Sequence, residues 1–404
     1  MALTRPIVVA GGGPCGLAIA VALARAEIPV IVLERGAALA TDLRAGSFHP
    51  PTIEMFDQLG VGDDMRAMGI QVSTWQIRDR HAGVVAEFDL GMLTGDTPYP
   101  FRLHCEQHKL SALLARELEM FDCAQLRYAC CLVDATQSAD WVTVHVETPD
   151  GPETIEASWL IGADGARSAV RRCLGTEFEG FTWPERLLVL STTYNLAEDG
   201  FALNCYIADP QEWCAIFKMP HDGPPGIWRV AFPTDTSVPD EEVLDLDYGR
   251  RLLNGFLPRR QDYDIPYRST YRVHQRVAKT FRSGRILLAG DAAHINNPLG
   301  GMGLNSAIHD AMNLAPRLIE VHRDAGADAD ALLDQYVRQR RQTNLDFVQA
   351  DTIRNKKTLE ERDESARRSR LQELAETAAD TDKAYRFLLR SSMIASVRRA
   401  AEIA

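Results

Sequence analysis

The chain is short of several things, and each shortage narrows what it does. Basic residues are outnumbered: 44 Lys and Arg stand against 56 Asp and Glu, a formal charge of −12. That balance excludes sequence-independent nucleic-acid binding as the main task, because such binding needs a basic face. The eight cysteines (Cys15, Cys105, Cys123, Cys130, Cys131, Cys173, Cys205 and Cys214) include no CxxC pair and no zinc spacing. No metal site and no disulfide-reductase chemistry are therefore expected, and the thiols read as free groups in a reducing cytosol. Long apolar runs are missing as well. LAIAVALARA at 17–26 is too short to span a bilayer, and the chain enters a strand, PIVVAG, almost at once with no signal peptide before it. A cytoplasmic protein without a membrane span is expected. There is no internal repeat, no low-complexity linker and no second GxGxxG.

What is present is glycine in two differently built loops. Residues 6–35 read PIVVAGGGPCGLAIAVALARAEIPVIVLER. A buried strand runs into Gly11-x-Gly13-x-x-Gly16, an alanine-rich helix follows, and a second strand ends on Glu34 and Arg35. The glycines divide the work into a tight turn, room for a pyrophosphate against the backbone, and close helix–strand packing. The helix N-terminus offers N–H groups and partial positive charge to phosphates. Glu34 falls near the distance of about 20 residues expected for a ribose-binding carboxylate. This pattern binds an adenosine diphosphate and does not separate NAD from FAD. A strand, SWLIGA, then ends in Asp164-Gly165, with Ser168 placed to cap the next helix. The second glycine loop, GDAAHINNPLGGMGLN at 290–305, follows the strand RILLA and opens a helix from about Leu304.

Together, GGGPCG at 11–16, GADGARSAVR at 162–171 and GDAAHINNPLGGMGLN at 290–305 resemble the motifs of the single-component FAD-dependent aromatic hydroxylases, the para-hydroxybenzoate hydroxylase-like family. The similarity runs from about residue 5 to residue 320. The resemblance implies that the first loop (Gly11, Gly13, Pro14, Cys15, Gly16) holds the adenine end of FAD, and that Glu34, Arg35 and Asp164 also bind the cofactor. It also implies that Asp291 bonds the ribityl chain, and that Pro298, Gly301, Met302, Gly303, Leu304 and Asn305 lie along the isoalloxazine ring. Physics agrees with the last point: a loop of glycines lets backbone approach a flat ring closely. Helix-terminal N–H groups there favour negative charge on a reduced flavin. Arg44, in the segment RAGSFHPPTIEMFDQLG, matches the family's pyrophosphate-side arginine, Gln107 its cofactor-contacting glutamine, and Arg102 the same neighbourhood. His294 reads as a structural hydrogen-bonding residue of the GDAAH turn.

The fold class that follows is α/β: a Rossmann-like FAD-binding domain, an inserted antiparallel-sheet substrate domain of α+β type, and a C-terminal helical segment. FAD-binding parts are expected at 1–71, 102–178 and 272–330, substrate-domain strands at 72–101 and 179–271, and helices at 331–404. The substrate sheet is expected to be antiparallel, built from runs such as LLVLSTTYNL, FALNCYIA, WCAIFKMP and IWRVAFP, joined by VSTWQIRD and VVAEFDL. Pro316 should kink or interrupt its helix. Alternating charges in the tail read as a solvated face, with a homodimer interface as the sharper expectation.

The resemblance implies a monooxygenase in which NADPH or NADH docks transiently to reduce the flavin, O2 is co-substrate, and a flavin C4a-hydroperoxide hydroxylates a small phenolic or hydroxy-N-heteroaromatic substrate. Tyr206, Phe217, Arg229 and Pro298 are the substrate candidates, and His49, Tyr206 and Pro298 the catalytic ones. His49 reads as a base for the phenol, with His104 as a second choice. The strand positions lack the tyrosine, serine and arginine cluster of para-hydroxybenzoate hydroxylase itself, so a different substrate is expected. Two other readings stay open: an epoxidase or hydroxylase of a non-aromatic or lipid-like substrate, and a non-catalytic FAD-binding protein.

Overall fold

The computed structural model describes residues 5–43 and 45–404. Arg44 lies outside the described residues. The strand Ile7–Ala10, every residue of it buried, runs between Trp159–Gly162 and Val30–Leu33, parallel to both. Ile286–Leu288 and Ala124–Arg127 extend this sheet on either side, and Arg282–Ser283 closes one edge to make six strands. Buried on both faces, such strands are continuous apolar runs rather than alternating ones, which is why IVVA and VIVL carry no polar residue. The helix Pro14–Ala24 that crosses between them buries ten of its eleven residues. It is apolar all round because it is sandwiched, with sheet on one side and the helices Met302–Arg323 and Gln107–Leu118 on the other.

A second sheet of eight strands runs in the order His294–Ile295, Tyr267–Ala278, Phe178–Thr192, Ile227–Thr234, Cys214–Met219, Asn204–Ala208, Thr74–Asp79, Gly83–Asp89. It is antiparallel except at one join: Asn204–Ala208 pairs in parallel with Thr74–Asp79, Cys205 opposite Gln76. The expectation of a purely antiparallel sheet is corrected there. The two segments come from distant parts of the chain, so no hairpin dictates their direction. Alternation divides the sheet cleanly. Leu188, Leu190, Ile216, Val230 and Phe232 pack into one apolar cluster, while Leu187, Val189, Ala215 and Ala231 belong to another on the opposite face.

The meander Cys131–Gln137, Val142–Thr148, Gly151–Ala157 forms a separate three-stranded sheet that the sequence reading had not assigned, although VTVHVET alternates plainly. The helix Met302–Arg323 continues past Pro316 without interruption. Proline removes one donor and crowds the preceding turn; here Arg317 donates to the Asn313 carbonyl at 2.6 Å, and the flanking Leu314, Ala315 and Leu318 are buried, so packing holds the helix together. The tail is helical as expected. Phe387 of the helix Thr381–Ser391 stacks on Trp75 and Phe88, with ring centroids 5.6 and 4.4 Å apart, and so covers the outer end of the second sheet. No helix among the described residues is long and apolar enough to cross a membrane.

Candidate active site

One cavity of about 970 Å³ joins the two glycine loops to the second sheet. At one end it is lined by Gly13, Pro14 and Cys15, and along its length by Asp291, Pro298, Leu299 and Gly301 to Leu304. Its far end meets Leu187, Val189, Trp213, Ala215, Phe217, Arg229 and Tyr271. These sheet residues are all odd-numbered on their strands, the period-2 face opposite the Leu188–Phe232 cluster. Gln107, His104 and Ser47 complete the wall.

The three glycines of the first loop do separate work. Gly11 has φ +108°, and a Cβ there would sit 2.3 Å from the Ala163 carbonyl oxygen. A Cβ on Gly16 would sit 2.1 Å from the Gly11 carbonyl, so this position serves close packing. A Cβ on Gly13 would meet nothing within 4 Å, and Gly13 lines the cavity. That opening is where backbone can approach a pyrophosphate. Glu34 accepts from Gly12 N–H at 2.9 Å and Gly36 N–H at 2.7 Å, so its carboxylate fixes the loop. Arg35 is exposed and off the cavity wall. Asp164 accepts from Ala169 N–H at 2.6 Å, from Val170 N–H and from the Ser168 hydroxyl; it caps the helix Ala169–Leu174 jointly with Ser168, and it is the neighbouring Ala163 and Gly165 that line the cavity.

The second loop is held differently. Gly301 (φ +66°) caps the helix Met302–Arg323, which begins two residues before the expected Leu304 and presents its first turn to the cavity. His49 Nε2 donates to the Gly300 carbonyl at 2.8 Å, and Tyr206 Oη accepts from Gly300 N–H. Asn305 accepts from His49 N–H at 2.8 Å and donates to the carbonyls of Ser47 and Gly301. His49, Tyr206 and Asn305 are therefore clamps beneath the loop, none of them on the cavity wall. The catalytic reading of His49 and Tyr206, the substrate-contact reading of Tyr206 and the ring-contact reading of Asn305 gain no support from these bonds, which engage each side chain with the loop. His49 is fully buried, and burial, aided by the Arg102 charge, pushes its pKa well below the usual range. Its other ring nitrogen, Nδ1, is left as a buried lone pair without a partner among the described residues, but the ring does not line the cavity. Arg102 lies buried and is not among the residues lining the cavity, its guanidinium 4.6 Å over the Trp75 ring.

His294 is structural as expected. Its Nε2 lies 2.7 Å from Asp310, which also accepts from Arg340 Nε at 2.7 Å and Gly290 N–H at 2.9 Å. This buried trio pins the GDAAH turn to the helix Met302–Arg323 and so positions Asp291, exposed on the cavity wall.

His104 differs from His49 in lining the cavity. Its Nδ1 donates to the Lys218 carbonyl at 2.9 Å, which fixes the proton on that nitrogen. Nε2 is then a lone pair, buried without a hydrogen-bond partner, on a ring that lines the cavity. Burial lowers the His104 pKa to about 4, so the ring is neutral at ordinary pH. Alternation in the strand Arg102–His104 puts Arg102 and His104 on one face, which alone does not tell which of them reaches the cavity. Trp213, Met219 and Tyr271, also on the wall, were not singled out from sequence.

A long cleft between a dinucleotide-type cradle and a glycine loop at a helix N-terminus, closed by an apolar sheet face, defines a flavin-binding oxidoreductase. Comparison with known proteins gives the family. The FAD binding domain family model matches residues 4–351. Para-nitrophenol 4-monooxygenase of Pseudomonas sp. (strain WBC-3) is 34% identical over 363 residues, 89% of each chain. 6-hydroxy-3-succinoylpyridine 3-monooxygenase HspB of Pseudomonas putida (strain DSM 28022 / S16) is 34% identical over 361 residues, 88% of this chain and 90% of that one. The solved structure of p-nitrophenol 4-monooxygenase PnpA from Pseudomonas putida DLL-E4 matches with TM-score 0.92 at 31% identity, covering 98% of both chains. The chain belongs to the FAD binding domain family, and it is an FAD-dependent NAD(P)H monooxygenase of the aromatic-hydroxylase type.

Proposed function

We propose that the substrate is a monocyclic phenol or hydroxypyridine whose hydroxyl hydrogen-bonds to His104 Nε2. The observation that carries this reading is the buried, unpartnered Nε2 of a histidine ring that lines the cavity together with Pro298, Leu299 and Gly301 to Leu304. FAD, reduced by NAD(P)H, supplies the oxygen-activating chemistry when bound. Gly13 and the first turn of Pro14–Ala24 hold its phosphates; Asp291, Gln107 and the Met302–Leu304 N–H groups hold its reactive end. The chain's own part is to place the ring, to exclude water with Leu187, Val189, Trp213, Phe217 and Ala231, and to accept the hydroxyl's hydrogen bond at His104 Nε2. That hydrogen bond polarises the O–H toward the phenol oxygen and activates the ring toward an electrophilic oxygen. Relatives named for nitrophenol and hydroxypyridine substrates, similar along nearly their whole length, support this class. Pro298, Phe217 and Arg229 fit as the substrate's neighbours, since all three line the cavity.

The test is flavin reduction by NADPH and by NADH, with 4-nitrophenol and a panel of phenols and hydroxypyridines, followed by product analysis. One class of ring compound should speed reduction and return hydroxylated. His104→Leu should lower kcat/KM for that compound by about 10²-fold or more, the usual worth of a positioned acid–base group. Unchanged kcat/KM in His104→Leu, with FAD bound, removes His104 from the reaction.

We propose further that the FAD-binding and substrate parts divide at about 71, 101, 178, 271 and 330. Eight unpaired cysteines suit a cytoplasmic setting. The helix Glu364–Ala379 packs Leu371 and Leu374 on the chain's own core and leaves Gln372 and Glu376 exposed, and that outer side is the face for a second copy of the chain. Sedimentation of the enzyme with Gln372 and Glu376 replaced by Lys checks that dimer.

A further inference from the structure

The layer beneath the Gly300–Gly301 turn holds polarity that nothing in the fold uses. The strand Arg102–His104 pairs with Ser47–Phe48, His104 opposite Ser47 and Leu103 opposite Phe48. Leu103 and Phe48 sink into the core of the FAD-binding part, so Arg102, His104 and Ser47 share the other face. Ser47 Oγ, His49 Nδ1, Arg102 Nε, His104 Nε2 and, from the facing strand, Trp75 Nε1 are all buried there without a hydrogen-bond partner among the described residues. A Cβ on Gly301 would lie 3.4 Å from Ser47 Cβ and 3.6 Å from His49 Nε2, which puts this layer directly under the loop.

Arg102 is the cation of that group. It is 2% exposed, stacked over Trp75, and neither a carboxylate nor a carbonyl pairs with it among the described residues. Burial lowers its pKa only to about 10, so it stays charged at neutral pH. The groups that feel this charge are Tyr206, His49 and His104. Glu106, the nearest acid along the chain, is already paired with Lys109 at 2.8 Å. Keeping a buried cation without a partner is costly, and truncation to an apolar residue of similar volume is commonly neutral or stabilising. Stability therefore does not explain why a guanidinium stands here.

We propose that Arg102 is a countercharge held in reserve for an anion that forms at the cavity floor during turnover, above His104 and the Gly300–Leu304 loop. Two groups of that chemistry arrive there: the phenolate of the substrate and the reduced flavin ring. The first rests on the substrate reading above; the second rests only on FAD. In either case the cation acts through space, across Tyr206 and His104, and it favours the charged form.

The experiment uses the FAD-loaded enzyme and three variants: Arg102→Met and Arg102→Gln, which remove the charge with different shape and polarity, and Arg102→Lys, which keeps it. In one arm the oxidised enzyme is mixed with 4-nitrophenol, and ionisation of the bound phenol is followed by the phenolate absorbance against pH. In the other the reduction potential of bound FAD is measured with no phenol present. Loss of the charge should weaken ionisation of the bound phenol by roughly tenfold, moving its midpoint up by about one pH unit. It should also lower the flavin potential by about 30 mV for the same tenfold in a two-electron couple. Arg102→Lys should restore either effect to within about threefold. A shift in the phenol arm alone assigns the charge to the phenolate, and a shift in the potential alone assigns it to the flavin. If neither moves in the neutral variants, or if Lys fails where Met and Gln fail, Arg102 acts by shape and the inference is overturned. Wild-type enzyme that does not bind 4-nitrophenol sinks that substrate, not the countercharge, which the potential still judges.

Discussion

The two glycine loops do comparable work by opposite means. The first is held by backbone: Gly11 N–H bonds to the Leu33 carbonyl at 2.8 Å, and Cβ atoms at Gly11 and Gly16 would strike carbonyl oxygens. Glu34 alone lends it a side chain, through Gly12 and Gly36. The second is gripped by side chains from elements scattered along the chain: His49 and Tyr206 at Gly300, Asn355 at the Leu299 carbonyl, Asn305 at Gly301, Asp310 at Gly290. A pyrophosphate has one shape and no reactivity to tune, so a rigid cradle of peptide groups serves it. The loop facing the reactive ring must be set against the substrate sheet, and two of its clamps, Tyr206 and Asn355, come from the substrate sheet and the C-terminal helices.

The contrast breaks most visibly at Asp310. Asp310→Ala leaves Arg340 and His294 buried without their acid and frees the Gly290 N–H. Removing one partner of a buried ion pair costs about 3–5 kcal/mol, so a large fall in the urea midpoint of the FAD-loaded enzyme is expected. Acid should reproduce part of it. Burial alone would raise the Asp310 pKa, but His294 and Arg340 override it and hold the carboxyl at about 2. A carboxyl depressed below its unfolded value of about 3.9 contributes stability that is complete above that value and lost as pH falls through the folded one. The wild-type midpoint should therefore drop between about pH 4 and pH 2, and Asp310→Ala should lack that portion of the drop.

In the first loop the test is Gly11→Ala. The added Cβ meets backbone at Ala163, which cannot rotate away, and φ is +108°. Left-handed strain and overpacking together cost on the order of 3 kcal/mol. We expect protein that folds but loses yellow colour on gel filtration, checked by the FAD content per chain. Full retention of FAD would mean that this cradle yields, and the contrast between the loops would lose its first half.

How much of this was legible follows from where each constraint lives. The first glycine loop and the DG turn are local, because glycine spacing and a capping Ser168 act within a few residues, and the tight packing at Gly11 and Gly16 and the cap at Ser168 follow the sequence pattern. The face of the substrate sheet was legible through alternation, which placed Phe217 and Arg229 on the cavity wall. What failed was long-range. Nothing near His49 or His104 in sequence says which ring faces the cavity; that depends on the Gly300 and Lys218 carbonyls, hundreds or a hundred residues away. Tyr206 lies on the expected sheet face, opposite Ala215, yet its hydroxyl reaches the flavin loop instead of the substrate space. Pro316 does not interrupt its helix because propensity is a local rule and the buried flank of Met302–Arg323 overrides it.

Tyr206→Phe is the smallest and sharpest of these perturbations. The ring keeps its edge contacts with Trp75 at 5.5 Å and Phe217 at 6.4 Å, so packing is preserved. Only the acceptor for Gly300 N–H is lost, and an unsatisfied buried donor costs about 1–3 kcal/mol. Because Gly300 sits at the turn of the second loop, that cost should fall on the loop's bound conformation. FAD affinity is expected to weaken about tenfold, which is about 1.4 kcal/mol, with KM for the phenol nearly unchanged once FAD is saturating. The opposite pattern, a raised KM with FAD affinity intact, would return Tyr206 to the substrate side. The side-chain grip on Gly300 would then rest on His49 alone, and the second loop would be closer in kind to the first than its hydrogen bonds suggest.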